Sequence, residues 1–308
     1  MAEFVPAKTP PVGEIREPGM DHTLYPFRTL PDAPRFAWPD GARIALTVTV
    51  ALDHWELDPP GDASPDPRIV SPLGKFHPDW LTWSHRLYGP RVGIFRILEV
   101  LDQFNLTPSI ALGTEAARLY PELVDALSSR NACFMAHGHF ASRRITSRMM
   151  NERSFIAEAR DSIAAATGQV PKGWCGQDFN ESTETPALLT EAGFQYTTDW
   201  ANDDRPYLMA GGLVALPPQP EWNDLECMWL RRVTPPVWSA NLIEAFDVLH
   251  AEGGGVFNMT LHPWITGQAH RIRYLRDALH RILGKPHIWR TTTDALADAV
   301  LNFQTGSR

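Results

Sequence analysis

Apolar and polar positions along the chain switch repeatedly between two periods, and the switching lays out the fold. ARIALTVTVALD (42–53) is dense in β-branched residues and ends on an aspartate, the mark of a buried strand. RVGIFRILEVLDQFN (91–105) places Ile94, Ile97, Leu98 and Leu101 at helical spacing and stops at Asn105. A short strand at 106–112, a helix opened by Pro121, a strand over ACFMAHGH (132–139) and a helix over 151–166 follow. KGWCG starts a further strand, and 185–196 reads as a helix with proline in its first turn, leading to a strand that ends at Asp199. Helix 240–251, strand GVFNMTLHP, helix 269–284 and a helix opened by Thr293-Asp294 complete the series.

Strands and helices alternate without an internal repeat or linker, which predicts an α/β fold with a mainly parallel sheet, and at this length a barrel. The domain expectation is an extended proline-rich arm over 1–42 and one catalytic (β/α) barrel over 43–308. Such an arm suits either its own barrel or a neighbouring subunit, and a homo-oligomer is expected. A loop with five prolines between 59 and 72 interrupts the pattern.

Composition narrows the classes. The net charge of −8 argues against a nucleic-acid surface. The three cysteines (Cys133, Cys175, Cys227) lie far apart with no CxxC pair, which fits a reducing cytoplasm rather than a disulfide framework. No stretch has the length and apolarity of a signal peptide or a membrane span, so a cytoplasmic location without membrane attachment is expected. No GxGxxG follows the first strand and no P-loop is present.

In barrels of this kind, chemistry gathers at the C-terminal ends of the strands. Those ends carry Asp53, His54 and Glu56, then His137 and His139, then Gln177 and Asp178, then Asp199, Asn202, Asp203 and Asp204, and finally His262. If the strand runs through MAHGH, alternation turns His137 and His139 to one face, as a metal site would require.

The blocks ALDHWE (51–56), AHGHF (136–140), the run from Gly173 to Tyr207 and LHPWITGQAHRIRYL (261–275) resemble the polysaccharide deacetylase family. Within it they are most similar to the intracellular branch of metal-independent allantoinases and related amide and cyclic-amide hydrolases. The similarity spans about residues 40–300. It implies a distorted seven-stranded (β/α) barrel, Asp53 as general base and His262 as the acid that protonates the leaving nitrogen. His54 stands at a metal-ligand position, and His137 matches the first histidine of the family's HxxxH. Ala141 replaces the second, and Gln177 stands near the arginine that usually orients the base. The family's metal triad is therefore broken, as it is in the allantoinase branch, which keeps its hydrolase activity.

The expected function is hydrolysis of a carbon–nitrogen bond in a small linear or cyclic amide, ureide or imide. An amino-sugar N-deacetylase and a non-catalytic binder on the same barrel are the alternatives. Oxyanion charge falls either to one divalent metal, zinc by donor type, on His54 and His137 with His139 or Asp53 as third ligand, or to His137 and backbone N–H groups without metal. Glu56, Trp174, Gln177, Asp199, Asp203 and Trp264 are the expected substrate contacts. Asp199 is the carboxylate expected to favour a protonated His262.

Overall fold

The computed structural model describes residues 21–59, 74, 77–146 and 151–306. The proline-rich loop expected between 59 and 72 therefore falls almost wholly outside the described residues. Strand β1 (Ile44–Leu52) is buried along its whole length and forms the spine of the sheet. It is followed by β2 (Ser109–Leu112), β3 (Cys133–Ala136), β4 (Gly173–Trp174), β5 (Tyr196–Thr197), β6 (Tyr207–Leu208), β7 (Val214–Ala215), β8 (Gly255–Leu261) and β9 (Ile288–Arg290).

The order across the sheet is β6-β7-β5-β4-β3-β2-β1-β8, with β9 beside the start of β1. Seven strands from β8 to β7 run parallel, in keeping with the curled, mainly parallel barrel-type sheet that the resemblance implies. β6 adds an antiparallel edge to β7. β9 pairs with Ile44–Leu46, the half of β1 that β2 does not reach. Because every strand of the run points the same way, the residues just past their ends collect at one rim.

The helices follow their apolar stripes. Ile94–Gln103 buries Ile94, Ile97, Leu98, Val100 and Leu101 against the sheet. Helix Pro235–Glu252 begins five residues before the expected start, because two prolines fit its first turn. Three helices escape the sequence pattern, Trp80–Tyr88, Thr114–Leu119 and the single turn Pro263–Thr266. The first is capped by Asp79, whose carboxylate accepts the Thr82 N–H at 3.0 Å.

Within the expected arm, residues 21–42 lie on the chain's own barrel. Phe36 stacks on Trp38 at 4.9 Å, and the Trp38 indole donates to Gly255 O at 2.9 Å. The Arg205 guanidinium reaches the carbonyl of Ala33 at 3.0 Å. None of the helices among the described residues is long and apolar enough to cross a membrane.

Candidate active site

β1 is apolar to Leu52 and Asp53 is the next residue, so its carboxylate emerges at the rim. The strand over MAHGH is shorter than expected and stops at Ala136. Gly138 takes φ +69°, which breaks the alternation and sends the two histidines apart. His137 turns inward: its Nδ1–H donates to the carbonyl of Cys175, and its Nε2 lies 3.5 Å from Asp53. His139 packs on Phe155 at 4.6 Å, with Nδ1 3.0 Å from the Thr114 hydroxyl. The common face expected for the pair does not form.

A carbonyl can only accept, so His137 carries a proton on Nδ1, while its other nitrogen faces a carboxylate. Burial opposes a charge on this ring, yet the Asp53 charge overrides it and pushes the His137 pKa well above the ordinary range. Burial likewise pushes Asp53 up, but His137, the Gln177 amide and His262 together bring it below its usual value. The two groups form a buried aspartate–imidazolium pair.

Gln177 holds two groups of the cavity in place. Its amide N–H groups donate to Asp53 at 2.6 Å and to His137 O at 2.9 Å. It orients the Asp53 carboxylate, in addition to lining the cavity. The next two residues, Asp178 and Phe179, hold φ of 54° and 57° in the left-handed region. Such strain costs of order 1–3 kcal/mol per residue and gathers where side chains must be aimed. Both line the cavity, and Asp178 pairs with Arg144 at 2.5 Å.

His262 follows β8 and also reaches the cavity. Its partner is Asp224, not Asp199. One Asp224 oxygen accepts Nδ1–H at 2.6 Å, and the other accepts the His262 backbone N–H at 2.8 Å and the Thr266 hydroxyl at 2.6 Å. With Nδ1 fixed as a donor, any second proton on the ring sits on Nε2. Asp224 is wholly buried and had no local signature. It opens a wide helical turn, Leu225–Leu230, after a proline-rich loop, and its partner lies 38 residues away.

The cavity encloses about 60 Å³ and brings together Asp53, His137, Gln177, Asp178, His262 and Trp264. Asn223, Glu226 and Thr260, residues the sequence did not single out, join them. Trp264 also stacks over the Arg86 guanidinium at 3.7 Å.

Four expected substrate contacts lie elsewhere. Asp199 sits behind the wall, where both its oxygens accept the Gly176 N–H at 2.8 and 2.9 Å. Trp174 is 1% exposed and packs on Phe194 at 5.7 Å, because a large ring on a two-residue central strand is core. Glu56 is held by the Ser142 hydroxyl at 2.6 Å and does not line the cavity. Asp203 faces a second cavity of about 330 Å³, with Tyr25, Phe27 and Tyr207.

The metal candidates do not fit a metal. His54 Nδ1 is 2.8 Å from the Tyr120 hydroxyl, His139 points to Thr114 and Phe155, and only His137 faces the cavity. Among the described residues no three His, Cys, Asp or Glu side chains converge as a metal site. A zinc centre needs at least three such ligands.

No family model matches the chain. A protein named for the polysaccharide deacetylases in Schizosaccharomyces pombe is 25% identical over 239 residues, 69% of this chain and 73% of the relative. A crystal structure of Puue allantoinase superposes with a TM-score of 0.76 at 24% identity, covering 87% of this chain and 93% of that one. A Mycobacterium smegmatis protein named for the same deacetylases gives 0.75 at 24% identity, over 92% and 96%. The fold is that of the polysaccharide deacetylases. The resemblance seen in the sequence blocks thus extends to a shared curled, mainly parallel sheet.

Proposed function

We propose that this protein hydrolyses the carbon–nitrogen bond of an amide in a small molecule, by general acid–base attack of water. The observation that carries this reading is the arrangement of two Asp–His pairs at one cavity, lined by both Asp53 and His137 of the first pair and by only His262 of the second. Asp53 is held ionised and oriented by Gln177, ready to take a proton from water as its oxygen bonds to the carbonyl carbon. The imidazolium of His137 stands beside it and stabilises the oxyanion that forms. His262, braced by Asp224, delivers an Nε2 proton to the nitrogen as the carbon–nitrogen bond breaks, giving an amine and a carboxylate. No step passes through a metal.

The similarity to Puue allantoinase supports a cyclic amide or ureide as the substrate class. The lining agrees: Asp178, Glu226 and Thr260 offer acceptors for N–H groups, between the rings of Trp55, Phe179 and Trp264. An amino-sugar N-deacetylase is the second reading, favoured by the name of the yeast relative. The two part in one assay. Purified protein is offered cyclic ureides, imides, linear amides and N-acetyl sugars, with and without chelator. Ring opening that survives chelation supports the first reading; acetate release from sugars alone replaces it with the second. Silence across the whole panel sinks both.

A further inference from the structure

The segment that sets both Asp53 and His137 hangs from a pair of buried carboxyls. Cys175 supplies the carbonyl that fixes His137, and Gln177 supplies the amide that fixes Asp53. Between them Gly176 is pinned through its N–H by both oxygens of Asp199. The approach is so close that a Cβ at Gly176 would stand 2.7 Å from an Asp199 oxygen. Only glycine allows it.

Asp199 is itself hydrogen-bonded to the carboxyl of Glu181. Two carboxyl groups can share a hydrogen bond only if one carries the hydrogen. The rest of Glu181 is satisfied: one oxygen accepts the Thr197 hydroxyl and the other the Trp200 indole, both at 3.0 Å. The other ionisable groups facing the pair are Glu152, the Cys175 thiol and the Tyr207 phenol. Glu152 is held by the hydroxyls of Ser182 and Thr185. His22 and Tyr25 lie behind Trp200.

We propose that the proton shared by Glu181 and Asp199 is a positioning element for the Asp53–His137 pair. While it is held, Cys175–Gln177 keeps its course; once it is lost, two adjacent carboxylates repel and Gln177 and the Cys175 carbonyl draw away from their partners. This rests on the hydrolase reading for its effect on turnover, but not for its effect on geometry. Burial raises both groups, Glu181 to about 7; the hydrogen bond to Asp199 favours the Glu181 charge, and that charge raises Asp199 further, so the shared hydrogen rests on Asp199 and its loss falls above neutrality. Carboxyls raised on folding stabilise the protein fully below their unfolded pKa and lose that contribution as pH rises through the folded one.

The test compares the full-length protein with Glu181→Gln and Asp199→Asn. In either variant an amide N–H replaces the shared hydrogen with one that does not titrate. The His137 Nδ1–H proton is followed by NMR against pH, assigned by its disappearance in His137→Gln, alongside kcat on the best amide of the panel. In the wild type the Nδ1–H signal and kcat are expected to fall together above neutrality. Both variants are expected to move that fall up by at least one pH unit. A wild-type signal that persists through the alkaline range overturns the proposal, and so does an alkaline limb unchanged in both variants. If no amide turns over while the signal follows the pair, the hydrolase reading fails alone and the coupling stands.

Discussion

The two Asp–His pairs around the cavity are built from the same residues and arranged in opposite senses. In the first, both nitrogens of His137 are engaged, by Cys175 O and by Asp53, so the ring is a fixed charge and the carboxylate is the member placed to move a proton. In the second, Asp224 is wholly buried and consumed by three donors, so the imidazole of His262 is the free member. What a pair does is therefore set by which partner the surrounding backbone saturates, not by its composition. On the proposed reading, this difference makes Asp53 the base and His262 the acid.

Asp53→Asn is expected to break the comparison most severely, because the amide keeps the shape and cannot take a proton. A loss of roughly 10³–10⁴-fold in kcat, with thermal stability and ligand binding retained, is anticipated. Unchanged turnover would remove Asp53 as the base. Asp224→Asn comes next, at about 10²–10³-fold, since an asparagine that presents its N–H to His262 disfavours the Nδ1–H tautomer. Its kcat should fall with little change in KM.

His137→Gln sharpens the contrast rather than abolishing activity, with about a tenfold to hundredfold loss expected where the cation is missing from the oxyanion. Its clearer signature is in the pH profile. His137 is the first of the groups that hold Asp53 down, so its removal lets burial raise Asp53 and shifts the acid limb to higher pH. His262 is the last of those groups, and His262→Gln should move the limb far less. Equal shifts in the two variants would mean that the pairs are not distinct.

The smallest effect concerns stability. Asp53, depressed on folding, stabilises the protein above its unfolded pKa and loses this as pH falls through the folded one. His137, raised on folding, stabilises below its ordinary 6.5 and loses this as pH rises through the folded value. Between them the Tm of the wild type should be flat relative to Asp53→Asn, which a pH series of melts would check.

Asp53 and His262 were legible because each ends a long, strongly apolar strand, where a polar residue announces the rim. The same logic misplaced Asp199. It also ends a strand, but β5 is only two residues long, and its carboxylate turns back onto Gly176. His139 was misread because alternation was carried past Ala136, through a glycine in the left-handed region. Asp224 was invisible, since no pattern near a proline-rich loop reveals a partner 38 residues away.

By itself the sequence determined the alternation of strands and helices, the mainly parallel sheet and the strand ends that carry Asp53, His137 and His262. These follow from the local periodicity of apolar residues, which burial enforces on every strand and helix separately. Only the tertiary structure decided which histidine is a fixed cation and which is free to move a proton. It also separated Trp174, Glu56 and Asp203 from the cavity and the three candidate ligands from one another. Those outcomes depend on hydrogen bonds and charges between residues far apart in the chain, for which adjacent residues leave no trace.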